Sequence, residues 1–352
     1  MAILFLQLVD LFKAILGGII VAVASSPLAI WGAKRMGLMD IPGSAAHKQH
    51  LRPTPLAGGI ALALSMIVLI LVFHLLNKEF SPLIAVLVII FFFGLWDDAK
   101  GLGPYLKLVG QILASTILIA SDVSVHFMEG LSIPFLSGNM LIALDWAITI
   151  FWFVGITNAF NLIDSTDGLA VGIAGIAFSF FMIMALVAQQ TYLAVFSGCL
   201  MGICIGLYAF NVSPARLFLG DSGAQVLGFT LAAVGMIYTP LNLPQGSSWF
   251  VPILLLGVPI FDTTMVVISR LLHHRPVFQA DRTHTFHRLV ALGLAPNQAV
   301  FTIHLVTLAL GLVAFVALSL PPLEATLTFG GVLLLGGLIL ILLVCKDPQI
   351  EK

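Results

Sequence analysis

Charge is what this 352-residue chain has least of: 9% of its residues are Asp, Glu, Lys or Arg, while 60% are hydrophobic and the mean hydropathy is +1.12. An ordinary soluble domain carries about 25% charged residues, so the deficit excludes a water-soluble globule and points to a protein that crosses a bilayer several times. The 15 basic and 16 acidic side chains leave a net charge of -1, which gives no footing for a nucleic-acid partner; how the few charges are distributed matters more than their sum. Cysteine is scarce too. Cys199, Cys204 and Cys345 have neither metal-ligand nor redox spacing, and the first two sit inside an apolar run, where a thiol serves as a small hydrophobe. No internal repeat or soluble domain is visible. The start, with Asp10 and Lys13 flanking an apolar segment and no cleavage-like tail, reads as a retained first span.

Apolar runs of roughly the length a bilayer requires, about 20 residues, fall near 11–33, 57–76, 82–96, 105–121, 141–157, 168–188, 191–210, 223–241, 249–269, 298–319 and 325–344. The expected fold is an all-α integral membrane protein, a single domain over residues 1–352 built as a polytopic bundle of about 11 (10–11) transmembrane helices. The connections alternate in character. One set is short or weakly charged, although the stretch 121–140 has room for a small hairpin. The other set comprises the loops near 34–56, 97–104, 158–167, 211–222 and 270–297 with the tail from Lys346, and with Lys107 just beyond the second of these loops carries 13 of the 15 Lys and Arg residues; only Lys13 and Lys78 lie with the first. By the positive-inside rule the second set faces the cytosol, the N-terminus lies outside and the C-terminus inside, as an odd number of spans requires.

The groups capable of chemistry follow the positive charge. A transporter is expected to bury ionisable groups near mid-membrane, often in broken helices repeated between halves; here they gather at span ends, where a water-soluble substrate would meet a lipid-borne one. Asn158, Asn161, Asp164 and Asp167 recur every third residue between two apolar runs. On one uninterrupted helix they would fan around half the cylinder, so a helix ending near Asn158 and another starting near Asp164 or Asp167 is expected. Asn and Asp are also good helix caps and turn residues, and two caps in a membrane-edge loop is the plain alternative. Asp97 and Asp98 are adjacent carboxylates that need a metal, a lysine or a shared proton to relieve their repulsion. Gly103-Pro104 marks a helix start with Lys107 in its first turn and Gln111 four residues on, on the same face. Phe218-Leu-Gly-Asp-Ser-Gly223 opens another span, whose free N–H groups and helix dipole are expected to favour a phosphate; Asp221 could equally be an N-cap. Its Gly-Asp-Ser-Gly string also occurs in serine proteases, but Ser222 has no His and Asp partners to match. His284 and His287 lack the Cys or Glu at ligand spacing that zinc would want, and with Arg282 they make a better clamp for a diphosphate, the plain alternative being a basic loop on anionic headgroups. Asp40-Ile-Pro42 leads through His47, Lys48, His50 and Arg52 to Pro55-Leu-Ala-Gly-Gly59, an irregular path back to the membrane.

Five strings in this order resemble the polyprenyl-phosphate N-acetylhexosamine-1-phosphate transferases (glycosyltransferase family 4): Asp40-Ile-Pro42 to Gly59, Asp97-Asp98, Asn158 to Ala170, Phe218 to Gly223, and Ala280-Asp-Arg-Thr-His-Thr-Phe-His-Arg-Leu289. Within that family the Asp281, Arg282, His284 and His287 pattern is similar to the branch that uses UDP-GlcNAc, undecaprenyl-phosphate GlcNAc-1-phosphate transferases of O-antigen or teichoic acid synthesis, except that Phe286 stands where that branch has a histidine. The phospho-MurNAc-pentapeptide transferases are the neighbouring branch. The resemblance implies a multi-pass enzyme of a bacterial-type inner membrane, with its site on the cytosolic face, that moves a sugar 1-phosphate from a UDP-N-acetylhexosamine to a polyprenyl phosphate and releases UMP. It implies Mg²⁺, with Mn²⁺ as a substitute, held by Asp221 and Asn161. Asp97, Asp98, Asp164 and Asp167 are implied as catalytic residues, and Lys107, Asn158, Phe218, Arg282, His284 and His287 as substrate-binding ones, with Phe218 stacking on the uracil. Membrane lipids and a second copy of the chain, as a homodimer, complete the expected partners; a nucleotide-sugar or lipid-linked-sugar transporter is the reading from another class.

Overall fold

A computed structural model describes residues 2–42, 52–78, 80–128, 136–240, 248–272, 274 and 284–345. Among them the chain is almost wholly helical: α1 (Ala2–Met36), α2 (Gly58–Val72), α3 (Ser81–Lys100), α4 (Pro104–Ile119), α5 (Gly138–Ile163), α6 (Leu169–Val187), α7 (Thr191–Asn211), α8 (Gly220–Ile237), α9 (Val251–Leu255), α10 (Gly257–Leu272), α11 (Thr285–Ala291), α12 (Pro296–Ala317) and α13 (Pro322–Cys345). Two short strands, β1 (Met39–Asp40) and β2 (Thr54–Pro55), pair antiparallel.

Seven described helices are long and apolar enough to cross a membrane: α1, α3, α5, α6, α7, α12 and α13. The protein is therefore a polytopic membrane protein. Each apolar run of the sequence coincides with helix, but α2 and α4 are shorter, and the run 249–269 is divided. The division has a chemical cause. Pro259 has no N–H to return to the carbonyl four residues back, and its ring crowds that carbonyl; the residue four back is Leu255, where α9 stops. The helical segments α3, α4 and α12 all take proline in their first turn, where the missing N–H costs nothing.

The centre of the bundle is α8, buried without interruption from Ser222 to Gly235. It packs against α2, α3, α5, α6, α7 and α9, while the long spans turn many large apolar side chains outward, such as Phe92, Phe151, Phe301 and Leu334. That inside-out pattern is what lipid-facing helices show. The polar chain that follows α1 is not loose either. Phe218 N donates to Pro55 O (2.9 Å), Ala57 N and Gly58 N donate to Phe218 O (3.2 and 2.9 Å), and Gly59 N donates to Leu219 O (2.9 Å), so the entry to α2 and the entry to α8 are stitched together.

Candidate active site

The structure alters one expectation at once. The helix bearing Asn158 does not end there: α5 runs on to Ile163 and carries both Asn158 and Asn161, and the chain turns over Asp164–Gly168 before α6 begins. Gly168 makes the turn with φ +76°, a left-handed conformation that a side chain disfavours. Its N–H donates to Asn211 Oδ1 (3.1 Å), and the Asn211 amide donates in turn to Leu217 O (3.1 Å), tying the turn to the chain leading into Phe218. Asp167 Oδ2 accepts from Ala215 N at 3.3 Å, fastening the other side.

Asp97 and Asp98 occupy the last turns of α3, inside the helix and not in a loop. Their roles diverge. Asp98 points at the start of α8: Oδ1 accepts from Asp221 N (2.7 Å), and Oδ2 accepts from Ser222 N (3.1 Å) and from the Ser222 hydroxyl (2.6 Å). The expected phosphate cradle at this helix start is thus corrected in part, because two of its free N–H groups are already spent on a carboxylate supplied by another helix, which suits both the unpaired donors and the dipole. Asp97 is buried and accepts from Leu102 N at 2.5 Å. It also pairs with Lys107, whose ammonium reaches on to Asp221 Oδ2 at 2.9 Å. Lys107 lies in the first turn of α4 as its Gly-Pro signal implied.

Asp221 itself collects four partners: the Asp97 carboxyl, the Lys107 ammonium, the Asn161 amide and, through its own N–H, Asp98. One turn deeper lies a layer of amides. Asn158 Nδ2 donates to Gln111 Oε1 (2.7 Å) and Gln111 Nε2 to Gln225 Oε1 (3.2 Å). Gln111 is four residues beyond Lys107 and Gln225 four beyond Asp221, so the charged layer is repeated as a neutral one by helical periodicity. Beside them Asp164 closes α5; burial, with the nearby carboxylates of Asp221, Asp98 and Asp167, holds its carboxyl well above the usual range.

The close approach of α3 to α8 depends on Gly94. A Cβ there would lie 2.4 Å from Ser222 Cα and 2.8 Å from Ser222 N. Gly59 serves α2 likewise, with a Cβ placed 2.1 Å from Ser222 Oγ. Gly94 thus lets Asp98, and Gly59 the start of α2, come up against the start of α8.

Not every expected residue joins this cluster. Arg282, with Asp281, lies outside the described residues, as do His47, Lys48 and His50. His284 is the N-cap residue of α11 and its Nδ1 is 2.8 Å from Asp262 Oδ2 in α10. His287 follows in α11 with its ring 5.2 Å from that of Phe286. Phe218 has its backbone clamped between Pro55 and Gly58 as above. Sequence reasoning missed Asp262 and Gln225. The only charged residue in the run 249–269 is Asp262, and an ionisable side chain within a long apolar run is itself the signal that would have found it.

Carboxylates from α3, the α5–α6 turn and α8 thus converge with one lysine and one asparagine amide. No group of three His, Cys, Asp or Glu side chains forms a closed metal cage among the described residues. The set suits Mg²⁺ nonetheless, since that ion keeps several waters and is held by one or two carboxylates plus substrate phosphates, and the crowding that lifts Asp164 is what a divalent cation relieves.

Residues 80–239, which run from the start of α3 to the end of α8, match the model of glycosyl transferase family 4. A "Probable undecaprenyl-phosphate N-acetylglucosaminyl 1-phosphate transferase" of Bacillus subtilis is 29% identical over 317 residues, covering 89% of this chain and 86% of the relative. A "Phospho-N-acetylmuramoyl-pentapeptide-transferase" of the same organism is 30% identical over 305 residues, covering 81% and 91%. A "Decaprenyl-phosphate N-acetylglucosaminephosphotransferase" of Mycobacterium tuberculosis is 31% identical over 318 residues, covering 82% and 76%. At that identity over most of both chains, with the matched region enclosing the polar cluster, this protein belongs to glycosyl transferase family 4.

Proposed function

We propose that this protein transfers N-acetylhexosamine 1-phosphate, GlcNAc 1-phosphate first among the donors, from its UDP-sugar to undecaprenyl phosphate and releases UMP. The observation that carries the reading is the meeting of Asp97, Asp98, Lys107, Asn161 and Asp221, from four helices far apart in sequence, around the start of α8. A phosphate oxygen of the lipid forms a bond to the sugar-linked phosphorus of the donor, the bond from that phosphorus to the bridging oxygen breaks, and the electron pair leaves with UMP. Phosphoryl transfer of this kind asks for alignment and charge neutralisation more than for covalent help.

Each residue has a task in that scheme. Asp221 with the Asn161 amide would hold Mg²⁺, which when bound neutralises charge on the diphosphate. Lys107 holds Asp97 and Asp221 in place and offers its remaining proton to an anionic oxygen. Asp97 lies where it could orient the lipid phosphate, whereas Asp98 keeps the start of α8 in position. Asp164 and Asp167 line the approach from the α5–α6 turn, Phe218 would receive the uracil, and Arg282, His284 and His287 would hold phosphates or the sugar. A bundle of about 11 (10–11) spans with the N-terminus outside and the C-terminus in the cytosol would put the cluster at the inner leaflet, a reading that the distribution of Lys and Arg supports.

Purified protein incubated with radiolabelled UDP-GlcNAc, undecaprenyl phosphate and Mg²⁺ is expected to yield a lipid-linked sugar and an equal amount of UMP; UDP-MurNAc-pentapeptide in a parallel reaction tests the neighbouring branch. No lipid-linked product with any UDP-N-acetylhexosamine would end the reading. Treatment with EDTA is expected to stop UMP release altogether, and added Mg²⁺ or Mn²⁺ to restore it; full activity after exhaustive chelation would remove the metal.

A further inference from the structure

Asp262 belongs to no part of the cluster described above, yet it is 1% exposed in α10 and both of its oxygens are engaged. Oδ2 lies 2.8 Å from His284 Nδ1, and Oδ1 accepts from Thr285 N at 2.6 Å. A carboxylate buried among apolar residues is retained only where its partners are in place. Here all of them come from one turn of chain at the start of α11. The carboxylate can only accept, so the proton shared with the ring resides on Nδ1. That leaves Nε2 as the ring nitrogen with which His284 can meet a substrate, and with the proton on Nδ1 it is an acceptor for a hydroxyl or an amide N–H. The mount is rigid at its other end also: Arg288, one turn on, donates to Ser269 Oγ at 3.1 Å, two turns past Asp262 on α10, and to Leu343 O in α13. Two polar ties therefore fix α11 on α10, and α10 packs against α5, the helix that carries Asn158 and Asn161.

We infer that Asp262 is a positioning residue for the transfer reaction: it fixes the tautomer and orientation of His284 so that Nε2 accepts a hydrogen bond from a hydroxyl or amide N–H of the donor sugar. This rests on the function proposed above, in which the segment around His284 meets the phosphates or the sugar of the donor. An imidazole held by a buried carboxylate is a recurrent way of fixing which nitrogen is free.

Two single variants and their combination test it. Asp262→Asn still accepts from Thr285 N but turns an amide toward Nδ1, forcing the opposite tautomer. His284→Asn keeps a donor for Asp262 while deleting Nε2, and so should fold even if the first variant does not. Each is expected to lower kcat/KM for the UDP-sugar by about 10- to 100-fold with the melting temperature unchanged for His284→Asn. The double variant should be no worse than the poorer single one, since both remove one device. Multiplying losses in the double variant, or Asp262→Asn at wild-type kcat/KM, would overturn the inference. So would His284→Asn at wild-type kcat/KM, which would take Nε2 out of the reaction while leaving sugar-phosphate transfer itself standing. Failure of that larger reading is seen separately, as absence of lipid-linked product with the unaltered protein.

Discussion

Asp221→Asn is expected to lower UMP release by about a thousandfold, the loss typical of removing one group that stabilises transition-state charge, while the melting temperature in detergent moves by only a few degrees. The substitution is nearly isosteric. Asp98 still accepts from the backbone N–H of residue 221, so the start of α8 is preserved. What disappears is the negative charge that draws the Lys107 ammonium at 2.9 Å and the Asn161 amide and that would hold Mg²⁺. A variant within tenfold of the normal rate would take Asp221 out of the metal site, and one that unfolds would make it a structural residue instead.

Gly94→Val should cost both stability and turnover. An added Cβ alone would stand 2.4 Å from Ser222 Cα, and backbone cannot swing aside as the tip of a side chain does, so α3 and α8 must separate. Overpacking of this sort costs about 1–3 kcal/mol or more. Asp98 lies four residues further along the same face of α3, so the separation also lengthens its bonds to Asp221 N and Ser222 N, now 2.7 and 3.1 Å; misplacement of a reacting site by about 1 Å costs on the order of 10²-fold. The control is Gly155→Val in α5, where an added Cβ meets nothing within 4 Å. Equal effects of the two substitutions on melting temperature and rate would show that the contact between α3 and α8 does not matter.

The strings read from the sequence and the geometry they form are related in an uneven way. Apolar runs were legible because lipid demands an apolar surface, and each run coincides with helix. Lys107 was legible because Gly103-Pro104 announces a helix start. Three features were not. The continuation of α5 to Ile163 was hidden because Asn158 and Asn161 mimic caps, whereas in the fold their amides are satisfied by Gln111 and Asp221 on other helices. Asp98 looked like a partner of Asp97 and turned out to cap α8, a pairing across 123 residues that no local pattern encodes. The break at Leu256 was written in Pro259, but a proline in an apolar run does not say whether the helix will bend or stop.

Because α8 touches other helices on every side, its polar residues never meet hydrocarbon. Its Gly-Asp-Ser-Gly start and Gln225 leave it outside the set of helices apolar enough to cross a membrane unaided. Such a segment partitions into lipid less readily than the wholly apolar spans, so a protein-lined berth favours its entry into the membrane. Of the helices that enclose it, α2, α3, α5, α6 and α7 all precede it in the chain. During synthesis the berth is therefore ready before its occupant emerges, and the same order of events brings Asp221 last to a site whose other carboxylates are already waiting.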